Sequence, residues 1–435
     1  MKFGGTSVGD AERIKTVAEI VKSQIDRDPV VVVSAFSGVT DGLIRLANDA
    51  VNKNSSLEEI RNRHFDVMKD LGLDASLIRH ELEELEIIIR GISLLKELTP
   101  RSLDLAISFG ERMSSKILAA YMSKLGLDAK PYNAYDIGFV TDSNFGNAEI
   151  LEETETNIRE FFNNVKSPVT VVAGFIAKDK QGEITTLGRG GSDYTASVIG
   201  AALDAEEVQI WTDADGIMTA DPKIVKGAKT IDYVSYDEAS ELAFLGAKVL
   251  HPKTILPAVK KNIPVKTLNT YNPTHRGTTI LEKVDKQSGI ISIASKKNIK
   301  VINIRSPKMF LAYGFIARIF DIFANLRIPV DLVSTSEVNI SVTIDGKYDT
   351  ERLVEELRRL GDVEIRNNRA SISVVATRLA STPGIAGKVF SSLGDNKINV
   401  EMISSGASKI NESFVVKEED ADDAVRILHE AFFGE

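Results

Sequence analysis

The residues best suited to chemistry are lysines, an arginine and aspartates set among glycines. Lys2-Phe3-Gly4-Gly5-Thr6-Ser7-Val8-Gly9 places a lysine beside paired glycines, then two hydroxyls, then a helical stretch from about Asp10 to Ile25. Glycines let backbone N–H groups close round phosphate oxygens, a helix start adds partial positive charge, and the lysine adds a full one. The spacing reads as a phosphate cradle, although it is neither Walker A, where the lysine follows the second glycine, nor GxGxxG. A glycine turn with a solvated lysine is the plain alternative.

Gly188-Arg189-Gly190-Gly191-Ser192-Asp193-Tyr194-Thr195 puts one arginine and one aspartate into a glycine-rich turn before another helix. Arginine is the bidentate partner of a carboxylate, and an aspartate among phosphate-binding groups orients a cation or a lysine. The run from Ser34 to Asp41 offers three hydroxyls, Ser34, Ser37 and Thr40, and one glycine; Ser37 or Thr40 as a helix cap explains part of it. Thr212-Asp213-Ala214-Asp215-Gly216-Ile217-Met218-Thr219-Ala220-Asp221-Pro222 has spaced aspartates, but it lacks the ligand spacing and closing glutamate of a calcium loop, so a nucleotide-side loop is expected. Phe109-Gly110-Glu111-Arg112 is read as a helix start, with capping the alternative role for Glu111. Gly246-Ala247-Lys248-Val249-Leu250-His251-Pro252 brings a second lysine into a break between helices, and His251 beside a proline reads as structural.

These loops need a frame. Up to about residue 280, short β-branched runs alternate with helical stretches, the sign of an α/β domain with a mostly parallel sheet. Pro29–Ala35 is a four-valine strand buried on both faces, with Pro168–Gly174 and Glu207–Thr212 as companions. Ligands of such sheets sit at the carboxyl ends of the strands, where the loops above begin. Residues 53–100 read as a helical excursion off the sheet.

The chain of 435 residues has 43% hydrophobic content and a net charge of −9 with both signs interspersed, which suits a soluble protein of two or three domains and argues against a nucleic-acid groove. It contains no cysteine, so thiol nucleophiles, zinc–thiolate sites and disulfides are excluded. No stretch approaches the roughly 18–20 apolar residues of a membrane helix and no leader is visible, so a cytoplasmic protein without membrane partners is expected.

After the polar linker Glu282–Ser288 the style changes to an internal repeat. The first unit reads strand Ile299–Ile304, helix Tyr313–Leu326, strands Val330–Thr335 and Val338–Ile344, helix Thr350–Leu360 and strand Val363–Arg366, a βαββαβ module. The second reads strand Ser371–Thr377, helix Pro383–Asp395, strands Ile398–Ser404 and Glu412–Val416, and helix Ala421–Phe433. It lacks a last strand, and the unclaimed run Gly289–Ala294 is expected to complete it, so that unit one is inserted within unit two. The expected domains are 1–281, 297–367, and 289–296 with 368–435.

In that order, KFGGTSVG, SAFSGVTD, FGERMSS, GRGGSDYT, TDADGIMTADP and GAKVLHP resemble the aspartate kinases, and the tail looks like that family's paired ACT domains. Glutamate 5-kinase, acetylglutamate kinase and UMP kinase share the amino acid kinase fold without this combination. The resemblance implies transfer of the γ-phosphate of ATP to the β-carboxylate of L-aspartate, giving 4-phospho-L-aspartate, the opening step of lysine, threonine and methionine synthesis. It implies that Lys2 contacts the phosphates, that Asp193 organises the catalytic lysines, and that Thr40, Glu111 and Arg189, with Ser34 in the same loop as Thr40, hold aspartate. ATP would lie on Lys2, Gly4, Gly5, Thr212, Asp213, Met218, Lys223, Lys248 and Val249, with Mg²⁺ arriving on the nucleotide rather than at a protein metal site. An amino-acid effector, lysine or threonine, would bind at Tyr313, Gly314, Asp331, Ser334, Ser336 and Glu337, in a homodimer or dimer of dimers joined through ACT domains. The chain departs from the pattern at Met218 and Lys223, where family members often carry Tyr and Arg, and at Lys2, which follows the first residue directly, so that either the sequence starts late or is truncated, or the first strand is shortened. A different amino acid kinase, or a catalytically idle amino-acid sensor, is the competing reading.

Overall fold

The computed structural model describes all residues except 53–54, 166–168, 245–250, 285–288, 311, 378, 380–381, 406–409 and 435. Two compact units emerge, one of residues 1–217, 232–236 and 249–284, the other of 218–231, 237–248 and 285–435.

The first unit is built on strands β1 (Lys2–Phe3), β2 (Val30–Val33), β3 (Ala129–Asn133), β4 (Val140–Thr141), β5 (Val169–Ala173), β6 (Ile176–Asp179), β7 (Ile184–Thr186), β8 (Val208–Thr212), β9 (Tyr233–Ser235), β10 (Val265–Asn269) and β11 (Thr278–Leu281). Eight of them form one sheet in the order β3-β5-β2-β1-β8-β10-β11-β9, and β4-β6-β7 form a smaller one. In the large sheet only the β10–β11 pairing is antiparallel. Runs such as Val30–Val33 and Val169–Ala173 suit its middle because β-branched side chains pack on both faces of a covered sheet. The first strand, of two residues, is central: Lys2 pairs with Val32 on one side and Ile210 on the other.

Helices α1 (Ala11–Lys22), α2 (Val39–Val51), α3 (Glu58–Leu71), α4 (Arg79–Leu95), α5 (Pro100–Lys124), α6 (Glu153–Asn164) and α7 (Gly191–Ala202) follow in chain order. The excursion expected at 53–100 is helical over Glu58–Leu71 and Arg79–Leu95 among the described residues. One expectation is corrected: Glu111 and Arg112 do not start a helix but lie inside the 25-residue α5. That helix starts earlier, where Thr99 accepts from the Ser102 N–H and Pro100 occupies the first turn. Ser37 and Thr40 do not cap α2 either; its N-cap is Gly38, at φ +81°, with no side-chain bond. Beyond these come α8 (Tyr236–Phe244) and α9 (Pro252–Lys260).

The second unit carries β12 (Gly289–Arg305), β13 (Val333–Thr335), β14 (Asn339–Asp345), β15 (Asp362–Thr377), β16 (Met402–Ser404) and β17 (Asn411–Lys417) in one antiparallel sheet, ordered β13-β14-β12-β15-β17-β16. Helices α10 (Phe315–Asn325) and α11 (Glu351–Arg358) serve one βαββαβ module, α12 (Ile385–Asp395) and α13 (Ala421–Phe433) the other. The separate strands expected at Gly289–Ala294 and Ile299–Ile304 are one strand, as are those at Val363–Arg366 and Ser371–Thr377. Gly289–Lys296 pairs with Ser371–Thr377 and Ile299–Arg305 with Asp362–Arg369. The register shifts between these halves, where Asn298 and Asn368 take left-handed φ of 54° and 56°. Residues 218–231 belong to this unit: Ala220 packs in the core of α12 and α13, and Thr219 O accepts from the Ile293 N–H at 2.9 Å. Among the described residues no helix is long and apolar enough to cross a membrane.

Candidate active site

Lys2 reaches the carboxyl edge of the large sheet from its central strand and meets Asp193, in the first turn of α7, with Nζ 2.6 Å from Oδ1. Both side chains are 12% exposed, so the pair is shielded but open on one side. The chain then turns over Gly4 and Gly5. A Cβ on Gly5 would come within 2.8 Å of Ala35 O, so only glycine lets this backbone lie against the exit of β2. The loop is tied on both flanks: the Gly4 N–H donates to Trp211 O, the Ser37 N–H donates to Gly5 O, and the Ser7 and Thr270 hydroxyls share a 2.7 Å bond. The result is an internally bonded glycine turn with one lysine over it, in which the Gly4, Ser7 and Ser37 N–H groups are taken by backbone carbonyls.

The Ser34 side chain donates to Ser192 Oγ at 3.0 Å, and the Ser34 carbonyl accepts from Ser114 at 2.8 Å, joining the β2 exit to α7 and α5. Glu111 is buried at 3% exposure; Oε1 accepts the Ala35 N–H at 3.0 Å, whereas Oε2 has no partner. Burial pushes this carboxyl up to about 8, against the opposing pull of that N–H and the positive charge of Lys2. At neutral pH burial therefore favours its protonated form. Arg112, the next residue, points elsewhere: it pairs with Glu84 at 2.6 Å and lies over the Phe109 ring.

Thr40 lies half-buried in the first turn of α2. Arg189 is exposed in its turn, and among the described residues its guanidinium has no ion pair. Thr212 ends β8 and Asp213 follows it, with the threonine hydroxyl 3.2 Å from Asp213 Oδ1. Met218 and Lys223 fall in the second unit, where the Lys223 N–H donates to Asp221. Lys248 and Val249 lie outside the described residues. No cluster of metal-ligating side chains occurs among the described residues.

The expected effector residues all lie in the first βαββαβ module. Gly314 is the left-handed N-cap of α10, at φ +72°, with Tyr313 fully exposed beside it. Ser334 sits on the edge strand β13, and the turn that follows carries Ser336, whose N–H donates to Asn339 O, and exposed Glu337. Asp331 accepts the Lys296 ammonium at 2.6 Å. Sequence reading gave no role to Ser114, inside α5, to Ser192, in the first turn of α7, or to Thr270, just past β10, whose only signal is a hydroxyl.

The amino acid kinase family matches residues 1–269 and an ACT domain matches 372–432. Aspartokinase 2, chloroplastic, of Arabidopsis thaliana is 42% identical over the whole of this chain and 84% of its own length. Lysine-sensitive aspartokinase 3 of Escherichia coli is 35% identical over 99% of this chain and 98% of its own. The chain belongs to the aspartokinases. Among solved aspartokinase structures, E. coli aspartokinase III in complex with aspartate and ADP (R-state) matches with a TM-score of 0.82 at 34% identity, covering 99% of both chains. The same enzyme with lysine and aspartate (T-state) gives 0.83 at 34% identity, over 99% of this chain and 98% of that one. The Clostridium acetobutylicum aspartate kinase gives 0.85 at 30% identity, over 99% of both.

Proposed function

We propose that this aspartokinase moves the γ-phosphoryl group of ATP to the β-carboxylate of L-aspartate, with binding and alignment divided among the residues of the carboxyl edge. Family membership over the full chain supports the reaction. The observation that carries the division of labour is the juxtaposition there of two opposite needs, a lysine over a glycine turn and a buried carboxyl with one oxygen unpaired.

Lys2 and the Gly4–Gly5 backbone hold the transferring phosphoryl, with Asp193 holding the Lys2 ammonium in place. Glu111 takes the aspartate ammonium, Arg189 takes its α-carboxylate bidentately, and Ser34 and Thr40 line the loop between them. The β-carboxylate is ionised at neutral pH and attacks phosphorus directly while the bond to the ADP oxygen breaks, so no general base is required. Catalysis then rests on alignment and charge neutralisation. Mg²⁺ carried on the nucleotide supplies further neutralisation of the phosphate oxygens. Thr212, Asp213, Met218, Lys223, Lys248 and Val249 are the nucleotide residues of this reading.

The organisation proposed is a catalytic domain over 1–281, an ACT domain over 297–367, and a second formed by 289–296 with 368–435. The effector is lysine or threonine. A relative named lysine-sensitive and a related structure that holds lysine favour lysine. Assembly through the ACT domains into a homodimer or dimer of dimers, and a cytoplasmic location, complete the proposal.

The test is acceptor choice. Purified protein with MgATP should release ADP with aspartate, the product being trapped by hydroxylamine, and not with glutamate or UMP; release with either of those and none with aspartate would refute the reaction. Lys2→Ala should cut kcat by about 10²–10³, the usual loss for one transition-state donor.

A further inference from the structure

Helix α5 carries two buried carboxylates, Asp104 and Glu111, seven residues apart and therefore on one face two turns apart. Glu111 belongs to the proposed aspartate site, and Asp104 has no part in it so far. Yet Asp104 is only 1% exposed and is fully engaged: Oδ2 accepts the N–H groups of Gly146 at 2.8 Å and Thr186 at 2.9 Å, and Oδ1 accepts the Thr186 hydroxyl at 2.9 Å.

What it holds is the turn bearing Arg189. Thr186 ends β7 three residues before that arginine, and its carbonyl accepts the Ala148 N–H at 2.9 Å. The Leu187 N–H donates to Phe175 O, and the Gly191 N–H to Gly188 O, closing the turn. Gly188, at φ +68°, lies so close to Asn147 that a Cβ there would stand 2.6 Å from Oδ1. Asp104 thus fastens both walls of the turn, the 146–148 segment and the end of β7. The Arg189 side chain makes no ion pair among the described residues, so the turn alone fixes where it starts.

We propose that Asp104 is a positioning residue for the amino-acid substrate. One rigid helix grips the Arg189 turn at Asp104 and the Ala35 amide at Glu111, and so sets the distance between the group that takes the α-carboxylate and the group that takes the ammonium. The inference rests on the assignment of Arg189 and Glu111 to aspartate. A carboxylate that merely filled the core would alter stability without separating the two substrates.

The experiment is steady-state kinetics of the full chain for Asp104→Ala, Asp104→Asn and Thr186→Val, with the thermal midpoint of each variant. Asp104→Ala is expected to raise the KM for aspartate about tenfold or more and that for ATP by less than about twofold, because misplacing a binding group penalises only the substrate it binds. Asp104→Asn should stay within about threefold of the parent, since the amide oxygen still accepts both N–H groups and its NH₂ can donate to the Thr186 hydroxyl. Thr186→Val, which removes only the hydroxyl bond, should raise the aspartate KM severalfold and serves if Asp104→Ala does not fold. Equal movement of both KM values, an unchanged aspartate KM in a folded Asp104→Ala or in Thr186→Val, or an Asn variant as impaired as Ala would each overturn the proposal. Arg189→Ala and Glu111→Gln run alongside: if they leave the aspartate KM unmoved, the site assignment itself fails. If they raise it while the Asp104 variants are silent, only the positioning role fails.

Discussion

A carboxyl with one oxygen on a backbone amide and the other facing no partner prefers its acid form, and Glu111, pushed up to about 8 by burial, is protonated in most free molecules at pH 7. An arriving ammonium reverses the preference, so aspartate binding should release close to one proton per site at pH 7, and affinity should strengthen as pH rises towards 8. Calorimetry in two buffers of different ionisation enthalpy reads the proton directly, and Glu111→Gln should abolish it; identical enthalpies in both buffers would count against the assignment. His64 shows the opposite shift. It stacks on Phe36 with centroids 5.0 Å apart, its Nδ1 sits 2.7 Å from Ile60 O, and burial lowers it from 6.5 to about 4. A base whose folded value is depressed loses stability as pH falls, here from 6.5 towards 4, because the unfolded chain takes the proton first. The loss amounts to at most about 3 kcal/mol. Urea midpoints measured between pH 7 and 4 should fall more steeply for the parent than for His64→Phe. Lys2 and Asp193 stood out in the sequence as charges in glycine-rich runs, and the structure brings them together as an ion pair. Asp104 did not stand out, since one acid among Leu103, Leu105 and Ala106 looks like any solvated helix position until the fold buries it.

The element that decides most is α5. A Cβ on Gly110 would lie 2.7 Å from the Ala35 Cβ, so glycine lets this helix touch the exit of β2 and bring Glu111 within reach of the Ala35 amide. Alanine gains up to about 1 kcal/mol of helix propensity at such a site. Forcing the contact apart costs about 1–3 kcal/mol. Overpacking wins, and Gly110→Ala is expected to lower stability by about 1–2 kcal/mol in urea titration; a rise in stability would show that the contact relaxes freely. The α/β alternation and the repeated βαββαβ pattern were visible in the sequence, and so was the pairing of the Gly289 run with the second module. The helix start at Phe109 was misread because FGER carries turn-like glycine and capping-like glutamate, while the true start at Thr99-Pro100 lies ten residues upstream. The separate strands expected on either side of Asn298 and Asn368 reflect a real irregularity, since both residues adopt left-handed backbone. The strands nevertheless run through them, because each break faces the other across the same ladder and is absorbed as a bulge.

At the scale of the molecule, each unit has hydrophobic clusters of its own, one around Phe3, Val31 and Phe109, the others around Ile372 and Phe414 and around Ile302 and Phe323. A single unfolding transition is therefore not expected. Scanning calorimetry should resolve two components that ligands move separately. Aspartate with a non-hydrolysable ATP analogue should raise one, and lysine or threonine the other, each by about 2.7 kcal/mol at a hundredfold excess over Kd. If neither amino acid shifts a component, the effector assignment fails. The long strands β12 and β15 have a consequence of another kind. Each gives one half to each module, so the two modules are unequal in heredity. Two breakpoints, near Asn298 and Asn368, would lift out the first module as one contiguous stretch of gene. No contiguous stretch contains the second alone, because its strand at Gly289–Lys296 precedes everything that separates it from Ser371. One module is a guest that can be copied or lost; the other is its host and can be inherited only with the guest inside it.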